Sequence, residues 1–437
     1  MSCECGQVGS MKPRVVIVGA GFGGIAAARA LRRAKADVIL IDRTNHHLFQ
    51  PLLYQVATAA LSPADIATAT RALLRRQANA TVLMAEVTGV EHTAKQLACA
   101  DGRIIPYNYL ILATGAAYSF FGQDEWRAHS RTLKSLDDAL AIREELLLAF
   151  EKAEQCDDPD EVRRLLTFVV IGGGPTGAEM AGTIAELART TLARDFRRID
   201  PQSARIILCE SGTQVLNAFG QELSDYASKA LRSLGVELRL GHPVTRIDDE
   251  GVVVGGEHIA TKSILWCAGT QARPAAHWLG TEAARNGAVK VSGDCSVPGT
   301  IGVFAIGDVA SFAGPTGKPL PGLAPVAKQQ GHYVGKLIAA ALANREPPPP
   351  FRYRDDGTMA VIGRSRAIAS LKKLRLRGFP AWLAWSMVHL MLLVDFRGRL
   401  SVYLNWSWAW FTYARGARLI TSSQTVDQAG EQVKQSP

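Results

Sequence analysis

The sequence predicts an α/β protein with two parallel sheets, each carrying a glycine-rich turn that opens a helix. The first turn, Gly19-Ala-Gly21-Phe-Gly-Gly24, follows the aliphatic run 15–18. The second, Gly172-Gly-Gly174-Pro-Thr-Gly177, begins 153 positions later and follows the run 168–171. In this strand-turn-helix context, backbone N–H groups at the helix N-terminus hold a pyrophosphate. The turns therefore predict two Rossmann-like dinucleotide-binding domains, and two dinucleotides in one chain suggest electron transfer between them.

Composition is consistent with this fold. A chain of 437 residues can form two or three domains, and its 40 glycines and many aliphatic residues are typical of buried parallel strands. The seven cysteines include no Cys-x-x-Cys, so we expect free thiols in a reducing compartment. Cys3 and Cys5 are too few to hold a metal, and we expect none. The first ten residues do not form a secretory signal.

The first domain begins with a strand over 14–18 and an alanine-rich helix over 25–33. A second strand, 38–41, ends at Asp42, which lies 18 residues after Gly24, where an acid that binds the ribose is expected. An apolar loop spans 45–55, and Ser62-Pro63 is a suitable start for a helix to about Arg76.

Three further strands complete this part of the chain. Residues 82–90 and 97–105 alternate as antiparallel strands do, around a turn at Asp101-Gly102. The run 109–113 is a buried strand that ends at Thr114-Gly115, where small side chains allow a ligand to approach the backbone.

The second domain repeats the order of the first. Helices are predicted over 133–153, 178–196 and 223–234, and strands over 205–209, 236–240 and 263–267. The strand 205–209 ends at Glu210, 33 residues beyond Gly177, and the long helix with the loop at Pro201 explains this wide spacing. A later strand, 303–306, leads into Gly307-Asp308, and a helix follows over 331–343.

The C-terminal part begins after a polyproline spacer, 347–350. Residues 363–420 contain ten Lys or Arg against one acid, and five of the eight tryptophans. Such a pattern fits an anionic membrane surface or nucleic acid, and the apolar run 381–394 favours the membrane. A helix of 14 residues is about 21 Å long, against about 30 Å of hydrocarbon, so we expect it to lie in the interface. The alternative is a buried helix in a homodimer.

These features resemble the type II NADH:quinone oxidoreductases, which are flavoproteins with two dinucleotide-binding domains. The resemblance runs from Val15 to about Ile420. Its more specific parts are the loop Asn45-His-His-Leu-Phe-Gln-Pro-Leu-Leu53, the helix start Gly174-Pro-Thr-Gly-Ala-Glu179, and the basic, Trp-rich C-terminus.

The resemblance implies non-covalent FAD in a discontinuous domain, 11–125 and 285–346, and NADH in an inserted domain, 126–284. A membrane-surface module would span 351–425, placing the protein peripherally on the cytoplasmic side of the inner or plasma membrane. The residues expected to hold the two cofactors are Gly19, Gly21, Phe22, Gly23, Gly24, Asp42, His47, Val87, Thr114, Gly115 and Asp308 for FAD, with Gly172, Gly174, Gly177, Glu210 and Gly269 for NADH.

The resemblance also implies a quinone site. Glu179 matches a glutamate that delivers protons to the quinone, although an acid that stabilises the helix dipole is an equal alternative. The family's Ala-Gln-x-Ala-x-Gln motif is Ala324-Pro-Val-Ala-Lys-Gln329 here, so Pro325 replaces the first glutamine. The residues expected to contact quinone are Gln329, Gln330, Lys328 and Pro51.

Three other functions are consistent with parts of the sequence. A disulfide reductase would need a cysteine pair near the flavin, and residues 42–60 contain no cysteine. A sulfide:quinone oxidoreductase would need flavin-adjacent cysteines and no second fingerprint. A flavoprotein sensor that binds NADH with slow turnover would share all the binding motifs, and only a turnover assay separates it from the enzyme.

Overall fold

The computed structural model describes residues 12–372, 374–412 and 415–420. Cys3, Cys5 and the last residues of the predicted C-terminal module, 421–425, lie outside this range. The strands are β1 (Arg14–Val18), β2 (Asp37–Asp42), β3 (His46–Leu48), β4 (Ala67–Ala69), β5 (Ala80–Met84), β6 (Val87–Glu91), β7 (Gln96–Cys99), β8 (Ile104–Pro106), β9 (Tyr109–Leu112), β10 (Ala116–Tyr118), β11 (Arg131–Thr132), β12 (Thr167–Ile171), β13 (Arg205–Glu210), β14 (Val236–Leu240), β15 (Val244–Asp248), β16 (Gly251–Val254), β17 (Glu257–Ala260), β18 (Ser263–Trp266), β19 (Thr270–Ala272), β20 (Val289–Lys290), β21 (Val303–Ala305), β22 (Ala310–Ser311), β23 (Thr358–Gly363), β24 (Arg366–Leu371) and β25 (Leu374–Gly378). The α-helices are α1 (Phe22–Ala30), α2 (Leu53–Ala57), α3 (Pro63–Ile66), α4 (Thr70–Leu74), α5 (Leu136–Gln155), α6 (Pro159–Leu165), α7 (Pro175–Glu186), α8 (Gln221–Ser233), α9 (Ala275–Leu279), α10 (Ala324–Leu342), α11 (Phe379–Leu392) and α12 (Phe396–Thr412).

The chain divides into two compact units, and each is assembled from separate stretches of sequence. The first unit comprises residues up to Leu48, Ala67–Ala117 and Thr270–Asp355. The second comprises Phe49–Ile66, Tyr118–Gly269 and the chain from Asp356 onward. The limits 11–125, 126–284, 285–346 and 351–425, which we predict from cofactor-binding motifs, stay predictions.

The first unit is built on a five-stranded parallel sheet in the order β21-β9-β1-β2-β5. Successive residues of β1 enter different cores: Val16 and Val18 belong to one buried cluster, and Val15 and Ile17 to the other. Both faces of the sheet are therefore covered, which explains why β1 is an unbroken aliphatic run. The sequence prediction of a parallel α/β sheet is confirmed here.

The second unit repeats this plan with the parallel order β11-β18-β12-β13-β14. Its central strand, β12, is buried along its whole length. The C-terminal strands β23, β24 and β25 form a separate antiparallel sheet in the same unit. That sheet packs on α7, where a Cβ added to Gly182 would lie 1.8 Å from the carbonyl oxygen of Ile362. Close packing at this glycine joins the C-terminal strands to the nucleotide-binding part of the unit.

Two predicted helices have different limits in the structure. The helix predicted from Pro63 to Arg76 is interrupted, because Ala67–Ala69 pairs as β4 with β3. The helix predicted to reach Phe196 ends at Glu186 and continues as a π-helical turn, in which Leu192 N donates to Leu187 O. In both places a tertiary or backbone pairing overrides local helix propensity.

The limits of two further predicted elements are wrong. The predicted strand 82–90 is two strands, since β5 extends the parallel sheet beside β2 and β6 turns away to pair with β7. Helix α10 begins at Ala324 rather than at residue 331. Pro325 lies in its first turn, where a missing N–H removes no helical hydrogen bond.

Candidate functional site

In the first glycine-rich turn, a side chain would collide with the backbone at two of the glycines, and a third glycine borders open space. A Cβ on Gly19, whose φ is +106°, would lie 2.2 Å from the carbonyl oxygen of Ala113. A Cβ on Gly24 would lie 1.8 Å from the carbonyl oxygen of Gly19. Around Gly21, at the N-terminus of α1, no atom lies within 4 Å of a Cβ position. The turn thus leaves room for a ligand above the first N–H groups of α1.

Asp42 fixes this turn through its carboxylate. Its Oδ2 accepts a hydrogen bond from Ala20 N at 2.6 Å, and its Oδ1 accepts from Thr44 N at 2.8 Å. Oδ1 also accepts from the Thr44 hydroxyl at 2.8 Å, so Oδ2 is the oxygen that retains a lone pair for a ribose hydroxyl. Asp42 therefore orders the turn in addition to the ligand contact that we predict for it.

Six buried side-chain polar atoms of the first unit have no partner among the described residues, and two of them belong to predicted FAD ligands: His47 Nε2 and Thr114 Oγ1. Desolvation lowers the pKa of His47, so its ring is neutral, and its Nδ1–H donates to Ala20 O at 2.8 Å. The Nε2 atom is then an acceptor. Because unpaired buried polar groups are rare in native proteins, these two atoms fit a polar ligand such as FAD.

The other predicted FAD residues differ in how they could make contact. Gly23 lies against Ile306, and the ring of Phe22 meets His47 edge-on with centroids 5.2 Å apart. Gly115 has a φ of +72° and no atom within 4 Å of a Cβ position. Val87 is 8% exposed and its side chain belongs to a hydrophobic core, so a cofactor can meet only its backbone.

Asp308 lies in a short turn after β21. None of the described residues donates a hydrogen bond to its carboxylate, which is partly exposed. Gln330 orders this turn, since its Oε1 accepts from Gly307 N at 2.7 Å. A free carboxylate on an ordered turn suits a contact with ligand hydroxyl groups.

The second glycine-rich turn has the same design as the first. A Cβ on Gly172 would lie 2.8 Å from the carbonyl carbon of Cys267, and one on Gly177 would lie 1.8 Å from the oxygen of Gly172. Around Gly174, at the N-terminus of α7, nothing lies within 4 Å. At Gly269 the side where a Cβ would project is filled by Phe121, whose ring lies 2.4 Å from that position.

Glu210 has the same role in the second turn that Asp42 has in the first. Its Oε2 accepts from Gly173 N at 2.6 Å, and its Oε1 accepts from Gly212 N at 2.7 Å. The negative charge is therefore held at the end of β13 beside an open glycine turn. This is the arrangement in which a carboxylate binds ribose hydroxyls and repels a ribose phosphate.

Glu179 lies on α7, two residues after the glycine turn. Its Oε1 accepts only a long hydrogen bond, 3.5 Å, from Val361 N. Desolvation raises the pKa of its carboxyl group to about 8, so most of it is protonated at neutral pH. A carboxylate that stabilised the helix dipole would have a lowered pKa, so the environment favours a group that holds a proton.

The residues predicted to contact quinone lie on different elements. Lys328, Gln329 and Gln330 are in the second turn of α10 in the first unit, and Pro51 is in a short 3-10 turn of the second. The amide of Gln329 clamps a backbone segment: its Nε2 donates to Arg354 O at 2.9 Å, and its Oε1 accepts from Arg354 N at 3.0 Å. Gln329 and Gln330 thus both have backbone partners, whereas Lys328 is exposed. Their quinone contacts stay predictions.

Two groups of side chains in the second unit were missed by the sequence reasoning. Trp406 reaches Gln55 and Tyr54 through hydrogen bonds across 351 positions of sequence. Arg415 is buried and pairs with Glu186 at 3.3 Å. Tyr54 and Gln55 lie in the apolar loop 45–55 noted in the sequence, but nothing local indicates that Gln55 has a partner on α12. In the sequence, Arg415 cannot be distinguished from the other basic residues of the C-terminal part.

The described cysteines are free thiols. Burial raises the pKa of the Cys209 and Cys267 thiols to about 12, so neither is a nucleophilic thiolate. Cys99, Cys156, Cys209, Cys267 and Cys295 are free. In the described part of the chain, no three His, Cys, Asp or Glu side chains cluster as metal ligands do.

The helices α11 and α12 expose many apolar side chains. Within the described ranges, none of the helices has both the length and the apolar character needed to cross a membrane. The large side chains at least 40% exposed on these two helices are Phe379, Leu383, Met387, Val388, Met391, Leu392, Phe396, Leu400, Tyr403, Leu404, Trp408 and Phe411.

Comparison with known proteins identifies the family of the chain. The pattern of the pyridine nucleotide-disulphide oxidoreductase family matches residues 13–331, a range that contains both glycine turns. The chain therefore belongs to this class of protein. A type II NADH:quinone oxidoreductase of Mycobacterium tuberculosis is 42% identical over 428 residues, covering 94% of this chain and 91% of the relative. An internal alternative NAD(P)H-ubiquinone oxidoreductase of Arabidopsis thaliana is 28% identical, covering 90% of this chain and 83% of that one. The chain belongs to the type II NADH:quinone oxidoreductases.

A solved structure also shares the fold. NDH2 from Plasmodium falciparum, determined in complex with NADH, superposes with a TM-score of 0.86 at 22% identity, covering 93% of this chain and 99% of that one. FAD is the cofactor of this family, and the open turn at Gly21 with the unpaired atoms of His47 and Thr114 fits it.

Proposed function

We propose that the chain oxidises NADH and reduces a membrane quinone by two electrons, without pumping protons. The observation that carries the proposal is the pair of open glycine turns, each ordered by a strand-end carboxylate, Asp42 in one and Glu210 in the other. When bound, FAD would supply the redox chemistry, taking hydride equivalents from NADH and releasing electrons to quinone. The protein supplies binding, orientation and protons.

The two turns would divide the binding work. The turn at Gly19 to Gly24, with Asp42, His47 and Thr114, would hold FAD. The turn at Gly172 to Gly177, with Glu210, would hold NADH. Neither turn needs to rearrange around its glycines, because each carboxylate already fixes the backbone N–H groups beside it.

Quinone reduction consumes two protons, and Glu179 is the group in the second unit best suited to deliver them. Its pKa of about 8 keeps a transferable proton on the carboxyl group at neutral pH. After giving up this proton, the carboxylate would take up another that originates in solvent. The roles of Gln329, Gln330, Lys328 and Pro51 at the quinone remain part of the proposal.

The protein would reach its quinone by lying on a membrane, on the cytoplasmic side. The support is the row of exposed apolar side chains on α11 and α12, together with the basic residues of 363–420. Each cation near an anionic leaflet contributes about 1 kcal/mol, and buried apolar area adds to it. The same surface could instead join two copies in a homodimer.

Point substitutions on α11 test the membrane contact without disturbing the fold. Met387→Glu with Met391→Glu places charge on two side chains that are 68% and 63% exposed. We expect wild type to sediment with anionic liposomes at low salt and this variant to lose at least ten-fold in binding. Ile301→Glu, at a position that is 78% exposed on the first unit, is the control. Equal binding by all three proteins would contradict the membrane contact, and a concentration-dependent doubling of mass would favour the homodimer.

The reaction is tested with the purified protein. We expect a flavin absorption spectrum that is bleached by NADH and restored by a short-chain benzoquinone, with steady turnover. A flavin that NADH reduces only over many minutes would favour the sensor alternative. A spectrum without flavin would contradict the proposal.

A further inference from the structure

Two hydrogen bonds in series connect α12 to Tyr54, which lies on α2. Trp406 Nε1 donates to Gln55 Oε1 at 2.7 Å, and Gln55 Nε2 donates to the Tyr54 hydroxyl at 2.9 Å. An indole N–H can only donate, so the atom it meets must be the oxygen of the amide. The orientation of Gln55 is thereby fixed, and the Tyr54 oxygen is an acceptor in this series. The hydrogen of the phenol remains for another partner.

That phenol hydrogen has no acceptor within the described residues. Tyr54 is 2% exposed, and among the described residues its hydroxyl has one hydrogen bond, which it accepts from Gln55. A buried donor without an acceptor is costly, and native structures rarely retain one unless a ligand or water completes it. Trp406 and Gln55 moreover hold the Tyr54 oxygen in the role of acceptor, which leaves the phenol hydrogen available and points to a ligand.

Tyr54 lies in the same environment as Glu179. Desolvation, followed by the charge of Glu179, holds the pKa of the Tyr54 phenol well above its ordinary value. Glu179 is largely protonated at neutral pH and has one long hydrogen bond, to Val361 N. Two neutral O–H groups in one desolvated region suit a neutral acceptor with an exposed oxygen, such as a carbonyl, better than an anion.

We propose that Tyr54 is a substrate-contacting residue whose O–H donates a hydrogen bond to a carbonyl oxygen of the quinone, and that Gln55 and Trp406 are its positioning residues. This inference rests on the proposed function. The phenol keeps its proton throughout, so the two protons that accompany the two electrons come from Glu179 and solvent. Tyr54 stabilises the oxygen on which negative charge develops as the quinone is reduced.

The first test compares two buried tyrosines in the full-length, FAD-loaded protein. Tyr54→Phe removes only the hydroxyl. Tyr107→Phe makes the same change at a tyrosine that is 4% exposed and whose hydroxyl also lacks a partner, in the core of the first unit. Stopped-flow absorbance separates flavin reduction by NADH from reoxidation by a short-chain benzoquinone. We expect Tyr54→Phe to slow reoxidation about ten-fold, as for the loss of one hydrogen bond in a dry site, and to leave flavin reduction within two-fold. Tyr107→Phe should leave both steps unchanged.

The positioning residues are tested by a second set of variants. Trp406→Phe removes the donor that orients Gln55, and Trp278→Phe makes the same change at a partly exposed tryptophan on α9 of the first unit. We expect Trp406→Phe to slow reoxidation less than Tyr54→Phe does, and to add nothing in the double variant. Trp278→Phe should match wild type. A merely structural effect of Trp406 would instead add to that of Tyr54→Phe, which would overturn its positioning role.

The outcomes separate this inference from the function on which it rests. If wild type reduces quinone and Tyr54→Phe reoxidises as fast as Tyr107→Phe, the assignment of Tyr54 is wrong and the function stands. If FAD-loaded wild type fails to reduce quinone, the function and this assignment are both refuted. Flavin content and the melting temperature of each variant report whether it has folded.

Discussion

Replacing Glu179 with Gln should make the stability of the protein less dependent on pH. The ordinary pKa of a glutamate is 4.5, and burial raises that of Glu179 to about 8 in the folded protein. Below pH 4.5 both the folded and the unfolded chain hold this proton, and stability is unaffected by it. As pH rises from 4.5 to 8 only the unfolded chain releases the proton, so the folded state loses stability. The loss levels off above pH 8, where both states are ionised.

The size of this effect follows from the shift in pKa. Each unit of difference corresponds to about 1.4 kcal/mol, so the whole shift costs the folded state about 5 kcal/mol. Between pH 5 and pH 9 the loss is about 4 kcal/mol. A glutamine has the same shape and no proton to release, so it escapes the loss. We therefore expect the free energy of unfolding of Glu179→Gln to gain about 4 kcal/mol relative to wild type over this range.

Urea unfolding of the FAD-loaded proteins at pH 5, 7 and 9 measures this difference, because all other titrating groups are common to both chains. Glu151→Gln, the same change at an exposed position of α5, is the control. A constant difference between wild type and Glu179→Gln would refute the argument from burial. A difference of the opposite sign would favour a carboxylate that stabilises the helix dipole. In stopped flow, the variant should also slow quinone reduction more than flavin reduction.

Two further predictions concern cofactor choice and the C-terminal segment. Glu210→Gln should raise the ratio of kcat/KM for NADPH to kcat/KM for NADH, because it removes the charge that repels a ribose phosphate. Loss of the hydrogen bond to Gly173 N would affect both nucleotides alike, so it cancels in a ratio measured on one variant. An unchanged ratio would contradict the role of the charge. Arg415→Met should cost about 3 to 5 kcal/mol in urea unfolding, because it leaves the largely buried Glu186, whose side chain is 17% exposed, without its cation and removes the bonds from Arg415 to Thr58 O and Thr183 O. Arg418→Met, which breaks a more exposed pair in the same segment, should cost about 1 kcal/mol or less, and similar losses for the two variants would mean that burial of Arg415 adds nothing.

The sequence predicted the parallel sheets because their signals are local. The aliphatic runs before Gly19 and Gly172 are buried on both faces of a sheet, and the glycines are required by contacts within a few residues of the turn or with the next strand. Acids at the ends of β2 and β13 were likewise found from their position. Their bonds to Ala20 N and Gly173 N were not foreseen, although they follow once the strands lie side by side.

Other parts of the site depend on pairings that no local pattern encodes. The interruption of the predicted helix after Pro63 requires β3, and the partner of Gln55 is 351 positions away on α12. The helix predicted over 331–343 begins earlier, at Ala324, because Pro325 is compatible with the first turn of a helix. Arg415 could not be distinguished from the other cations of a basic stretch, since only its burial shows that it is part of the interior.

The interleaving of distant segments has a consequence for how the protein is made. In the first unit β1 belongs to a sheet whose edge strand is β21, and α1 packs on α10, so its core is incomplete until residue 342 has been synthesised. In the second unit Gly182 is covered by Ile362, near the other end of the chain. Neither unit can therefore close while the first two-thirds of the chain is being translated, although domains commonly fold in order from the N-terminus. We therefore expect the apolar faces of α1 and α7 to stay uncovered until these late segments have been made, and chaperones that shield such surfaces to bind the nascent chain.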